Sequence, residues 1–168
     1  QFKEGQAYIT RQDSGHRRVI NILAEEAGPM DPSCRLSICI PAAGHQEGEN
    51  IYRTLENYSE QTARLDEFEI VVLVNRPDKD EQGRPVVPDK TQDEIARFQK
   101  DHPKLRVRLM NVVLPKDEAR MGNIRKLLND AVLLRHLKRG KEVPDLIMVS
   151  NDADNKGIAP EYVKNFIE

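Results

Sequence analysis

An α/β fold, with a mostly parallel sheet flanked by helices, is predicted by three observations. Short apolar runs of strand length recur at 35–40 (RLSICI), 68–74 (FEIVVLV) and 145–150 (DLIMVS). Stretches with apolar residues at helical spacing separate them. Two aspartates, Asp152 and Asp154, close the last run at the carboxyl end of its strand, where open α/β sheets bind ligands. Strands alternating with helices imply right-handed crossovers and helices on both faces, a Rossmann-like arrangement.

The elements follow in order. SGHRRVINILAEEAG reads as an N-terminal helix with Ser14 as cap and Gly28 as stop, joined by a Pro-containing link to the first strand. After RLSICI, the segment NIYRTLENYSEQ places Ile51, Leu55 and Tyr58 on one helix face. FEIVVLV is a second strand buried on both faces, and NRPDKDEQGRPVVPDK is a polar, Pro-rich loop expected to be mobile and solvated. Thr91 with Glu94 forms a capping box for a helix carrying Ile95 and Phe98; KLRVRLMNVV then alternates as a half-buried strand. The longest helix runs from Ala119 to about Lys138, with Ile124, Leu128, Ala131 and Leu134 inward and Arg or Lys outward. It leads into DLIMVS, an apolar run expected to be buried on both faces.

Composition narrows the class. The chain has 168 residues and a formal charge of -2, enough for one domain with a real core and without the basic footprint of a nucleic-acid binder. No apolar segment is long enough to cross a bilayer, and no charged start with an apolar stretch marks a secretory signal. Cys34 and Cys39, at odd spacing on one expected strand, should point to opposite faces as core thiols of a reducing, cytoplasmic compartment. The chain begins at Gln1 without an initiator Met, which reads as a piece of a longer protein, so membrane association through further regions stays open.

The acid pair in DLIMVSNDADNKG admits several chemistries. An EF-hand loop would match at Asp152, Asp154 and Gly157, but Lys156 stands where an oxygen ligand is needed and Val163 where a bidentate acid is needed. A phosphatase-type nucleophilic aspartate normally follows the strand that opens its domain. A divalent cation shared with a diphosphate needs few protein ligands. On this stretch alone that cation site and a solvated turn capping a helix over APEYVKNFI stand equal. At the first strand's exit there is neither G-x-G-x-x-G nor a Gly-rich loop ending in Lys-Ser or Lys-Thr.

Taken in order, SICIPAAGHQEGENIYRTLENYSEQT, EIVVLVN, EARMGNIRKLLNDAV and DLIMVSNDAD resemble the nucleotide-sugar-binding half of a family 2 glycosyltransferase with the GT-A fold. The resemblance runs from about Leu36 to Glu168. It implies residues 1–33 as an N-terminal helical extension and 34–168 as the donor-binding portion, ending soon after Asp-Ala-Asp. It places Pro41, Ala42, Ala43 and Glu47 along the nucleoside. An acid usually follows the second strand to read the base; Asn75 and Arg76 stand there instead. Arg120 matches a cation facing the diphosphate, Asp152 the acid near the ribose and metal, and Asp154 the metal ligand. The implied cofactor is Mn2+ or Mg2+, the expected donor a UDP-sugar.

In this family the catalytic base comes from beyond the Asp-x-Asp motif, so it is expected after Glu168, and the present stretch alone is expected to bind donor without transferring sugar. His45 lies in the same loop as Glu47, as a candidate for a donor contact. His136 reads as a surface residue and His102 as part of a turn. The rival functions are a sugar nucleotidyltransferase, which would want a basic Gly-rich loop within Ala42 to Glu49, and a non-catalytic nucleotide-binding module, which loss of the acids or of Arg120 would have favoured.

Overall fold

The computed structural model describes all 168 residues. Two helices open the chain, α1 (Phe2–Thr10) and α2 (Ser14–Ala27). Then come β1 (Leu36–Ala43), α3 (Ile51–Glu56), β2 (Phe68–Pro77), α4 (Thr91–Asp101), β3 (Val107–Leu114), α5 (Met121–Leu137), β4 (Ile147–Ser150) and α6 (Tyr162–Ile167). The four strands form one parallel sheet in the order β3-β2-β1-β4. The predicted α/β class and its parallel sheet are therefore present.

The period of two along each strand divides the core into two layers. Leu36, Ile38, Ile40, Ile70, Val72 and Val74 face α3, α4 and α6. Cys39, Val71, Leu73 and Met110 face α2 and α5. Pro41 sits inside β1 at no cost to the ladder. Odd-numbered residues of β1 turn their backbone groups toward β4, as Arg35 and Cys39 do in accepting from Ile147 and Asn151, and β4 has ended before it reaches Pro41.

Several sequence expectations change in three dimensions. β4 is an edge strand, not one buried on both faces: only β1 pairs with it, and Ile147 and Met148 are each 38% exposed. The thiols of Cys34 and Cys39 join the same core layer, because Cys34 precedes β1 and escapes its alternation. Asp13, not Ser14, caps α2 by accepting from the His16 N–H at 2.9 Å, while Gly28 supplies the positive φ that stops it. α3 is shorter than its spacing suggested, with Tyr58 buried just beyond it.

The helix α1 has no sequence-level counterpart, since its pattern is interrupted by Gly5. That glycine is the position at which α1 meets α5: a Cβ there would lie 2.9 Å from Leu137 Cδ2. Cover from the N-terminal segment at His136 and Leu137, and from α2 and β2 at Arg135, explains why the last turn of α5 is buried on faces expected to be basic and solvated. His136 is 4% exposed, and burial together with the Arg139 cation lowers its pKa. Arg135 is equally enclosed. Its guanidinium makes two bonds to Glu69, at 2.7 and 2.9 Å, and Ser37 donates to the same carboxylate at 2.6 Å. A buried charge of this kind persists only when paired and hydrogen-bonded, which fixes α5 over β2.

Candidate nucleotide-sugar site

The carboxyl ends of the strands form one rim, with the acids at the β4 end and a cavity of about 170 Å³ over β1, β2 and β3. Gly44, Asn75, Arg76, Gln92 and Asn111 line that cavity. A larger groove of about 470 Å³ lies between α2 and α5, lined by Gly28, Met30, Arg135 and Arg139. It is at the amino ends of the strands, the wrong end for ligands of an open α/β sheet.

The acid loop is held from α3 and its exit by alternate residues. Asn151 donates to the Tyr58 hydroxyl at 2.7 Å, the Thr54 hydroxyl donates to the Ala153 carbonyl, and Asn57 donates to the Asn155 carbonyl at 2.9 Å. Burial raises the Tyr58 phenol to about 12, so it stays protonated at neutral pH. The residues between these anchors, Asp152 and Asp154, are exposed, while Ala153 is 6% exposed. Anchoring every second residue inward therefore turns both carboxylates outward. They face solvent together with Arg125 of α5, whose Nη2 donates to Asp152 Oδ1 at 3.2 Å.

No group of three or more His, Cys, Asp or Glu side chains is assembled to hold a metal ion. Two exposed carboxylates suit a magnesium-like ion that keeps waters and shares phosphate oxygens, and do not suit a closed protein cage. The donor set thus fits a cation that arrives with a diphosphate.

The residues expected along a nucleoside are built differently from expectation. Pro41 and Ala42 are buried strand residues paired with Leu73 and Val74, and Ala43 is the last residue of β1; the loop proper begins at Gly44. Glu47 is partly exposed in that loop and accepts from Asn50 Nδ2 at 3.4 Å. Asn75 is 7% exposed and donates from Nδ2 to the carbonyls of Ala42 at 3.2 Å and Leu73 at 3.1 Å. Both amide protons are thus engaged, and the acceptor oxygen is what the side chain retains for a ligand. Arg76 donates to the Val86 carbonyl at 3.2 Å. Arg120 is the exposed N-cap residue of α5.

The polar segment after β2 is solvated, as expected, and is also tied down. Asp89 accepts from the Gly48 N–H at 3.0 Å and from the Thr91 N–H at 2.8 Å, as well as from the Thr91 hydroxyl. This replaces the expected capping box, since Glu94 pairs with Arg97 instead. The chain passes so closely here that a Cβ on Gly48 would lie 2.6 Å from Lys90 Cγ, and one on Gly44 2.7 Å from Val74 Cγ1. His45 Nδ1 is buried in the same loop without a partner. Sequence reading missed Thr54, Asp89 and Arg125; the only trace was an Asp two residues before a helix threonine, a common side-chain-to-backbone turn.

Solved structures share this fold. Mannosyltransferase PcManGT from Pyrobaculum calidifontis, in complex with GDP-Man and Mn2+, matches with a TM-score of 0.53 and 21% identity, over 98% of this chain and 43% of that one. S. aureus TarS 1-349 matches with a TM-score of 0.51 and 19% identity, over 79% of this chain and 31% of that one. The same protein in complex with UDP-GlcNAc gives a TM-score of 0.50 at 18% identity, over 79% of this chain and 30% of that one. The chain spans less than half the length of each. No protein-family model matches it, and no curated protein does. At these identities the likeness is one of fold: the GT-A-like, Rossmann-like sheet expected from the sequence is the sheet these structures share. No helix is long and apolar enough to cross a membrane.

Proposed function

We propose that this chain is the donor-binding part of a glycosyltransferase that takes a nucleotide-diphosphate sugar together with Mn2+ or Mg2+. The observation that carries this reading is the outward-facing pair Asp152 and Asp154, fixed at the β4 end of a rim whose other end is the cavity beside Asn75. The base belongs in that cavity. There the acceptor oxygen of Asn75 suits a base edge that offers a ring N–H, as uracil and guanine do.

Asp154 is assigned to the cation and Asp152 to the ribose and cation. When bound, the ion stabilises the negative charge that gathers on the leaving diphosphate. Arg120, at the start of α5, is suited to phosphate oxygens approaching the positive end of that helix. The neighbour with GDP-Man and Mn2+ and the neighbour with UDP-GlcNAc support a nucleotide sugar as ligand through their common fold.

The test is a thermal-shift panel of UDP-, GDP-, CDP- and TDP-sugars with and without Mn2+, on the parent and on Asp154→Asn. A ligand at about a hundred times its Kd adds roughly 2.7 kcal/mol. Stabilisation that needs Mn2+ and vanishes in Asp154→Asn is expected. A shift of equal size without metal, or in Asp154→Asn, removes the assignment.

A further inference from the structure

Arg125 lies one turn inside α5, its side chain 32% exposed, and its guanidinium pairs with Asp152 at 3.2 Å. It also lines an open groove of about 540 Å³ with Gly122, Lys126 and Met148, so the pair faces solvent at the β4 edge. The charge balance at this point is informative. Two carboxylates neutralise one divalent cation. Arg125 adds a further positive charge in direct contact with one of them, so an ion arriving alone meets a repelling neighbour and a carboxylate already engaged.

A nucleoside diphosphate reverses the sign of that effect. Its phosphates bring at least two negative charges, and their oxygens can accept the N–H groups that Arg125 now gives to Asp152. The same guanidinium therefore opposes the free cation and favours the cation–diphosphate pair. We infer that Arg125 is a coupling residue, which makes metal capture by Asp152 and Asp154 conditional on a bound nucleoside diphosphate. This rests on the donor-site reading above. Linkage makes the coupling reciprocal: whatever nucleotide does for metal affinity, metal does for nucleotide affinity.

The experiment uses the full chain and four proteins: parent, Arg125→Gln, Arg125→Lys and Asp154→Asn. Free Mn2+ is followed by electron paramagnetic resonance, and UDP and GDP binding by calorimetry with and without Mn2+. Because both partners are solvent-screened, the expected changes are modest. Arg125→Gln should bind Mn2+ alone roughly three- to tenfold more tightly and UDP or GDP in Mn2+ roughly three- to tenfold more weakly. Arg125→Lys, which keeps the charge, should stay near the parent in both.

Opposite signs are the signature, because a merely structural loss would weaken both. If Arg125→Gln weakens both, or changes neither while Asp154→Asn still abolishes metal-dependent binding, the coupling role fails and the donor site stands. If Asp154→Asn binds nucleotide with the metal dependence of the parent, the donor-site reading fails and takes the coupling role with it.

Discussion

The Thr54 hydroxyl donates a hydrogen bond to the carbonyl of Ala153, joining the fourth residue of α3 to the residue between Asp152 and Asp154. Thr54 is 2% exposed, so water cannot replace that bond. Replacement by valine keeps the shape and removes the donor, leaving a buried carbonyl without a partner. Thr54→Val should cost about 1–3 kcal/mol in urea unfolding. If the bond also sets the direction of Asp152 and Asp154, Mn2+-dependent nucleotide affinity should fall with it. A variant that loses stability but keeps its full metal-dependent affinity would show that Thr54 holds the loop without aiming the acids.

Asp89 joins the segment after β2 to the loop after β1 and should make that junction acid-sensitive. Burial acts to raise its pKa, but the hydrogen bonds from the Thr91 hydroxyl, the Thr91 N–H and the Gly48 N–H outweigh it and hold the carboxyl below the usual aspartate range. A lowered folded pKa means stability that is fully present above the unfolded value, about 3.9, and lost as pH falls through the folded value. Asp89 is largely exposed, so the contribution is about 1 kcal/mol after solvent screening. Asp89→Asn should unfold more readily than the parent at pH 7, with the difference shrinking below about pH 4. A constant difference from pH 7 to pH 3 would assign the effect to another cause.

Asn75 should behave toward a base as an acceptor, because its two amide protons already serve Ala42 and Leu73. The expected order in competition binding is UDP and GDP ahead of CDP, since cytosine has a ring acceptor where uracil and guanine have a ring N–H and donates only through its exocyclic amine. Loss of a neutral hydrogen bond is worth about 0.5–1.5 kcal/mol, so Asn75→Ala should reduce the preference by roughly threefold to tenfold. A preference that survives Asn75→Ala intact would place base reading elsewhere along the rim, with Arg76, Gln92 and Asn111 as the next side chains to replace.

Much of this architecture is legible in one dimension because periodicity is local. The apolar runs at β1, β2 and β4, the spacing of Ile124, Leu128 and Ala131, and the acids after the last strand all report on neighbours within a few residues. Those signals suffice for the α/β class and for acids at a strand end. They fail where a second element intervenes. Cys34 looked like part of β1 until its place ahead of the strand put it in one layer with Cys39, and Arg135 looked solvated until α2 and β2 enclosed it.

The site divides in the same way. That Asp152 and Asp154 follow a strand is a property of the chain, and any fold that keeps the strand keeps them at its end. That they point outward depends on Thr54 and Asn57, about a hundred residues earlier in the chain. That Asp152 meets Arg125 depends on α5 lying beside β4, and that Gly48 meets Asp89 depends on β1 and β2 pairing in register. Hydrophobic pattern records which residues leave water, since burial acts on each side chain separately. Hydrogen bonds and ion pairs require two groups at a set distance, so their partners emerge only when the packed layers bring distant segments together.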